Sequence, residues 1–240
     1  LCLLILIAVI NGGCWDKKEF NKISFATAMA VDRIDETYQL TIKVMMPKNA
    51  SDGDYPVWVV SGNGKSIQDA MDDISKRSPR NIYWSHMDVI ILGENVLDNN
   101  MYQTLDFFIR GNEFRRRNYF MTTEGKASDL LDISPKLAKI NTFYFKSLIE
   151  DQNDMIARSA VTLNDVLLGI SDRGRDLFIP KLQLQESKDD MHQPQSEEET
   201  VAKSEGNGGK EENSIDSDDN MLELKGGALI KDEAFVCWVD

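Results

Sequence analysis

Alternating and helical patterns of apolar residues divide the chain into short elements. Residues 25–31 and 38–44 are rich in apolar and β-branched side chains and flank the polar residues 32–36. This pattern predicts a β-hairpin with a loop of several residues. Residues 57–60 predict a third strand. Between residues 67 and 74, apolar side chains recur at the i, i+3, i+4, i+7 spacing, which predicts a helix with one buried face.

Strands and helices then alternate as far as residue 185. Apolar runs predict strands at 86–92, 119–123 and 178–184, and a later hairpin from 222–230 and 234–239. Helical spacing predicts four further helices, around Leu105 and Phe108, around Leu130, from 137 to 145 and from 162 to 170. Pro180 has no backbone N–H, so we expect it at a sheet edge or at the start of its strand. The fold predicted is α+β, a mixed β-sheet with packed helices.

One polar segment interrupts this alternation. Residues 187–220 contain eleven acids and three lysines and no aromatic residue, so they cannot bury a core. The sequence predicts five parts. They are a signal peptide without its n-region (1–13), a lipidated tether (14–22), an N-terminal α+β domain (23–185), an acidic disordered linker or loop (186–220), and the opening hairpin of a truncated second α+β domain (221–240).

The first sixteen residues have the pattern of a secretory leader. Ten apolar residues, Leu1 to Ile10, precede Gly12, Gly13 and Cys14. At 1.5 Å per residue, ten residues cannot cross a hydrocarbon core about 30 Å thick. Cleavage before Cys14 would place a cysteine at the mature N-terminus, as in a bacterial lipoprotein, so Cys14 is the predicted lipid attachment site. The alternative is an ordinary signal peptide with an incidental cysteine.

One segment invites comparison with a phosphate-binding loop. Gly64-Lys65-Ser66 lies between a predicted strand and a predicted helix. A P-loop needs a further glycine at position 59, where this chain has Val59. The interpretation we favour is a turn followed by a helix cap, with Ser66 and Asp69 forming a capping box.

Other reactive side chains give no catalytic, cofactor or metal site. His86 has no second histidine or thiol at ligand spacing, and Cys237, on an apolar run, is interpreted as a small core residue. Arg110 and Glu113 could pair at a helix end, and with residues 115–117 they form a charged cluster that is interpreted as a solvated or structural face. The net charge of −13 makes nucleic acid a poor partner. Nothing argues for an enzyme.

Several segments together resemble the Ger(x)C family, the lipoprotein C subunits of spore germinant receptors. They occur in the family's order over nearly the whole chain except residues 187–220. They are residues 14–19, Val31-Asp32, residues 85–94, residues 105–110 with Glu113 and Arg115, Gly125-Lys126-Ala127, Pro180, residues 226–230 and Trp238.

The resemblance implies a membrane-anchored subunit on the outer face of the spore inner membrane. Its partners would be the A and B integral-membrane subunits, and the complex would detect a small-molecule nutrient and trigger germination. The family brings no catalytic residues and no cofactor, and Cys14 is the defined position that transfers. Two alternatives remain, a solute-binding lipoprotein of a transporter or sensor and an NTPase, and Val59 argues against the second.

Overall fold

A computed structural model describes residues 22–47, 56–131, 133, 144–151, 160–172, 176–185, 222–231 and 234–239. Within these ranges ten strands form one mixed sheet. The strands are β1 (Ile23–Ile34), β2 (Thr37–Met45), β3 (Val57–Gly64), β4 (Asn81–Tyr83), β5 (Val89–Gly93), β6 (Tyr119–Thr123), β7 (Val161–Thr162), β8 (Leu177–Leu184), β9 (Leu222–Lys231) and β10 (Ala234–Val239).

Five α-helices lie between these strands in the described ranges. They are α1 (Ile67–Arg77), α2 (Glu94–Arg110), α3 (Ser128–Leu131), α4 (Tyr144–Asp151) and α5 (Leu163–Ser171). The capping box predicted at the start of α1 is confirmed, because the Ser66 hydroxyl accepts from Asp69 N and the Asp69 carboxylate accepts from Ser66 N. A second capping box joins Thr162 and Asp165 at the start of α5.

The sheet has the order β10-β9-β8-β6-β5-β1-β2-β3, with β4 beside β1 and β7 beside β6. Strands β1, β5, β6 and β8 run parallel to one another, whereas both ends of the sheet are antiparallel. The α+β prediction is therefore confirmed. Because the central strands are parallel, their carboxyl ends meet at one end of the sheet and their amino ends at the other.

Each face of the sheet is covered by helices. Helices α1, α2 and α5 pack on one face against side chains such as Met29, Leu40 and Phe120. Helices α3 and α4 pack on the other face against Ala30 and Ile91, among others. Neighbouring residues of β1 point to opposite faces, and both faces are apolar. The continuous apolar run of this strand follows from burial on both sides.

Three details of the sequence prediction are wrong. The β1–β2 hairpin has a two-residue loop, because Asp32 to Ile34 continue the strand and Asp35 turns the chain with a φ of 52°. Strand β5 begins at Val89, since residues 84–86 form a 3₁₀ turn. Pro180 lies inside β8, which pairs with strands on both sides. A register shift between Pro180 and Leu182 accommodates the missing N–H at this position.

The hairpin predicted near the end of the sequence is present, and β9 pairs with β8 along most of its length. The hairpin thus continues the sheet of the preceding domain, and Phe235 and Trp238 pack against the core on the α2 side. The second α+β domain expected to begin here stays a prediction. The leader, Cys14 and residues 187–220 lie outside the described residues.

Candidate functional site

Residues far apart in the sequence meet at the carboxyl ends of the parallel strands. Asp32 lies near the end of β1, Gly93 ends β5 and precedes Glu94 of α2, and the turn after β6 contains Gly125 and Ala127. These five residues are called the carboxyl-end junction. Ligands of parallel sheets commonly bind at this end of the strands, which makes the junction the first place to look for a site.

Asp32 is the buried acid of the junction, with 3% of its surface exposed. Its Oδ1 accepts a hydrogen bond from Ala127 N at 2.7 Å, and its Oδ2 accepts one from Ser128 N at 2.9 Å. Burial raises the pKa of the carboxyl above its ordinary value, although the two backbone N–H groups act in the opposite direction. The acid is thus occupied by the amide groups that open α3.

Gly93 and Glu94 close the other side of the junction. Glu94 N donates to Gly125 O at 3.0 Å, and Gly125 N donates to the Glu94 carboxylate at 3.0 Å. A Cβ at position 93 would collide with Oδ1 of Asp32 and would also lie 3.2 Å from Gly125 O. Gly93 has an ordinary extended backbone, so glycine is needed here for space.

A buried lysine on the neighbouring strand holds the opposite end of α3. Lys43 of β2 is 2% exposed, and its Nζ lies 3.4 Å from Leu131 O and 3.3 Å from Ile133 O. The ammonium also lies 5.6 Å from the centre of the Phe145 ring. A cation near the last carbonyls of a helix is favourable, as an anion is near the first amides.

A second buried lysine connects β8, β10 and the turn after β6 on the α2 face. Lys181 of β8 is 3% exposed and forms an ion pair with Glu124 at 2.7 Å. Its Nζ lies 5.6 Å from the centre of the Trp238 ring, on β10. Lys181 therefore ties the hairpin β9–β10 to the turn after β6, which contains two residues of the junction.

These contacts define what the junction can do. The carboxylate of Asp32 accepts hydrogen bonds from two backbone N–H groups of the chain, and the carboxylate of Glu94 accepts one. Among the residues that the structure describes, no group of three or more His, Cys, Asp or Glu side chains could hold a metal ion. The arrangement is a set of interlocking helix and turn contacts whose chemistry is structural.

The structure also places the other residues that the sequence singled out. Lys65 and Ser66 lie in the turn and cap before α1, as predicted, and the ring of exposed His86 meets that of Phe25 edge-on at 4.6 Å. Arg110 pairs with Asp106 one turn earlier at 2.6 Å, so the Glu113 pairing is wrong. Cys237 is an exposed free thiol, not a core residue, because its side chain points away from the α2 side on the outermost strand.

Sequence reasoning missed the junction and the two buried lysines. Asp32 was assigned to a turn, and Lys43 was part of an alternating strand without a role of its own. The available signal was the position of both charged residues within otherwise apolar strands. Lys and Asp are almost never fully buried unless they are paired.

Comparisons with known proteins identify the family. Residues 16–184 match the sequence model described as the spore germination protein N-terminal domain. In Bacillus subtilis (strain 168), spore germination protein B3 is 38% identical over 123 residues, which are 49% of this chain and 33% of that protein. Spore germination protein KC is 28% identical over 149 residues, 58% of this chain and 37% of that protein.

A third relative in the same organism, the putative spore germination protein YfkR, is 23% identical over 198 residues, 78% of this chain and 50% of that protein. The chain thus spans between a third and a half of the length of these relatives. No solved structure matches. Among the described residues no helix is long and apolar enough to span a membrane.

The fold and the junction define an α+β module in which buried charged residues connect separate segments by hydrogen bonds and an ion pair. The family match covers most of that module, from before β1 to the end of β8. The chain belongs to the Ger(x)C family of spore germination proteins, which is not a known enzyme family. Three of the segments that carried the resemblance in the sequence, at Asp32, at Gly93-Glu94 and at Gly125-Ala127, are in contact at the junction.

Proposed function

We propose that this chain is the N-terminal part of a lipid-anchored subunit of a nutrient germinant receptor. The observation that carries the proposal is the family match, which begins at residue 16, two residues after Cys14. In this proposal Cys14 is the lipidated mature N-terminus at the outer face of the spore inner membrane, and residues 15–22 are a short tether to β1.

Lipid is the anchor that the sequence supports. From residue 11 to residue 240 no apolar run approaches the 20 or so residues of a spanning helix. Each buried CH₂ contributes about 0.8 kcal/mol, so two long acyl chains give stable anchoring where one chain gives only marginal binding.

The junction supports a role in assembly rather than in catalysis. Asp32 and the neighbouring Lys43 hold α3, and Lys181 holds the hairpin, so these buried charges make structural contacts within the module. A module of this kind is suited to contact other subunits. The proposed partners are the A and B membrane subunits, and the complex would respond to a small nutrient. We also propose that this subunit is not an enzyme.

The test is affinity purification of the full-length tagged protein from spore membranes. The proposal predicts that the products of adjacent receptor genes co-purify in comparable amounts, and that deletion of this gene abolishes germination with one class of nutrient. Recovery of a transporter permease instead, together with nutrient binding by the purified chain in calorimetry, would show a solute-binding lipoprotein and contradict the proposal.

A further inference from the structure

The two ends of the parallel strands carry opposite charge. The segments that follow β1, β5, β6 and β8 make up the carboxyl end, and those that precede β1, β4, β5, β6 and β8 make up the amino end. Among the described residues, the charged residues of the carboxyl end are Asp32, Arg33, Asp35, Glu36, Glu94, Asp98, Glu124, Lys126 and Asp129. Those of the amino end are Lys22, Arg80, Asp88, Glu113, Arg115, Arg116, Arg117, Asp172 and Asp176. Acids outnumber cations seven to two in the first group, and cations outnumber acids five to four in the second.

The arginine loop at the amino end, residues 111–118, is fixed to the core at several points. Phe114 is buried, and its ring packs edge-on against the Phe108 ring at 4.8 Å. Asn118 is 1% exposed, and its side-chain amide nitrogen, in the orientation that satisfies its neighbours, donates to Met87 O and Arg115 O. Asn164 N donates to Arg116 O at 2.9 Å. These contacts fix the backbone of the loop from which the arginine side chains extend.

The guanidinium groups of this end differ from those elsewhere on the domain. Arg77 and Arg110 each form an ion pair with an aspartate one turn earlier in the same helix. Within the described ranges, Arg80, Arg115, Arg116 and Arg117 form no ion pair, and Arg116 and Arg117 are exposed. Asp165, which lies near this loop at the start of α5, accepts hydrogen bonds from Thr162.

The chain enters the domain at this same end, because β1 begins at Ile23 beside Asn81 of β4. Cys14 and Lys22 are eight positions apart in the sequence, and at about 3.5 Å per position this segment reaches about 28 Å at most. A domain anchored at Cys14 thus keeps its amino end near the bilayer. Screening at physiological salt limits attraction to about 8 Å, so contact is needed for the charges to act.

We infer that the amino end of the sheet, with Arg80 and Arg115 to Arg117 at its centre, docks on the anionic phospholipid headgroups of the membrane. The inference rests on the proposed function for the position of the anchor. Arginine suits this contact because its guanidinium stays charged and binds phosphate oxygens with two parallel hydrogen bonds. The acidic carboxyl end then faces away from the bilayer, which fixes the orientation of the domain although the whole chain has a net charge of −13.

Vesicle flotation of a protein that lacks the acyl anchor tests the inference. The full chain from position 14 onward, with Cys14→Ala and without the apolar leader, is mixed with vesicles of phosphatidylcholine alone or of phosphatidylcholine with phosphatidylglycerol. We expect binding to the anionic vesicles only, with loss of binding near 1 M salt, where the screening length is about 3 Å. The variant Arg115→Gln/Arg116→Gln/Arg117→Gln should bind on the order of 100-fold more weakly, at roughly 1 kcal/mol per basic residue.

A charge-matched variant provides the control. Lys65→Gln/Lys126→Gln/Lys225→Gln removes three exposed cations away from the amino end and should keep wild-type binding. Equal loss in both variants would show a non-specific charge effect and overturn the inference. Absence of binding to the anionic vesicles would also overturn the inference. If the arginine variant then also failed to co-purify with membrane subunits, the surface would fit an acidic protein segment instead. Lipidation of Cys14, read separately by mass spectrometry, distinguishes failure of this inference from failure of the proposed function.

Discussion

Asp32 and Lys43, on adjacent strands, hold the opposite ends of the four-residue helix α3. The carboxylate of Asp32 accepts from the amides of Ala127 and Ser128, and the ammonium of Lys43 contacts the carbonyl oxygens of Leu131 and Ile133. A helix this short is not stable by itself. Its position on the sheet is therefore set by two charges that come from strands about 90 residues earlier.

Removal of the Asp32 carboxylate tests this relationship. Asp32→Ala leaves two amides buried without an acceptor, so we expect a loss of about 3 kcal/mol in the free energy of unfolding. Urea denaturation measures the loss. A change below about 0.5 kcal/mol would mean that α3 does not depend on this acid.

The raised pKa of Asp32 also predicts a pH dependence. Because the folded state holds the proton more tightly than the unfolded state, this group adds stability below its unfolded pKa, and that increment is lost as pH rises through the folded pKa. The difference in unfolding free energy between wild type and Asp32→Asn should therefore shift in favour of wild type as pH falls from neutral toward about 4. A shift in the opposite direction would show that hydrogen bonding outweighs burial.

Gly93 gives a test of packing at the junction. Gly93→Ala places a methyl group against the Asp32 carboxylate and should cost about 3 kcal/mol. Gly169→Ala in α5 is the matched control, since its nearest neighbour is the flexible end of Leu177 at 3.1 Å and alanine favours helix. Thermal unfolding compares the two. Equal melting temperatures for both variants would contradict the packing described here.

Removal of the Ser24 hydroxyl is expected to keep or increase stability, whereas the changes above lower it. The Ser24 side chain is fully buried, and its hydroxyl has no hydrogen-bond partner. Ser24→Ala should leave stability unchanged or raise it by about 1 kcal/mol, because an unsatisfied polar group is removed. Thr27→Val, which removes a hydroxyl that donates to Lys43 O at 3.2 Å, should cost about 1 kcal/mol. Destabilisation by Ser24→Ala would point to a partner for that hydroxyl.

Variants in the segment Gly64-Lys65-Ser66 distinguish a helix cap from a nucleotide site. Ser66→Ala should cost about 1 kcal/mol, as the loss of a cap does, whereas Lys65→Ala should change stability little. Gly64 also fits the cap, since a Cβ there would collide with the backbone of Ala70. Calorimetry with ATP should show no binding by the wild type. Binding that Lys65→Ala abolishes would refute the cap interpretation.

Local patterns in the sequence predicted local structure well. The capping box at Ser66 and the helical spacing in α1 depend on residues within one element, and the structure confirms both. Strand β2 also forms as predicted, although its polar positions are buried as well as its apolar ones. The errors concern partners outside the element. Pro180 is tolerated at the centre of the sheet because a register shift absorbs it, and that shift depends on β9.

The junction could not be predicted for the same reason. The hydrogen bond from Ala127 N to Asp32 spans 95 residues of sequence, and no periodicity in either segment points to the other. Cys237 was misplaced because an apolar strand of six residues does not reveal which of its faces is covered. What the sequence did contain was a set of short motifs whose common location became visible only in the folded chain.

We propose that Cys14 anchors this domain to the membrane. The most direct measurement is mass spectrometry of the N-terminal peptide of the protein purified from spore membranes. We expect a mature chain that begins at Cys14 and carries the mass of its acyl chains, and a Cys14→Ala variant that lacks this species. An unmodified Cys14, or a peptide that reads through Gly13 into Cys14, would contradict it.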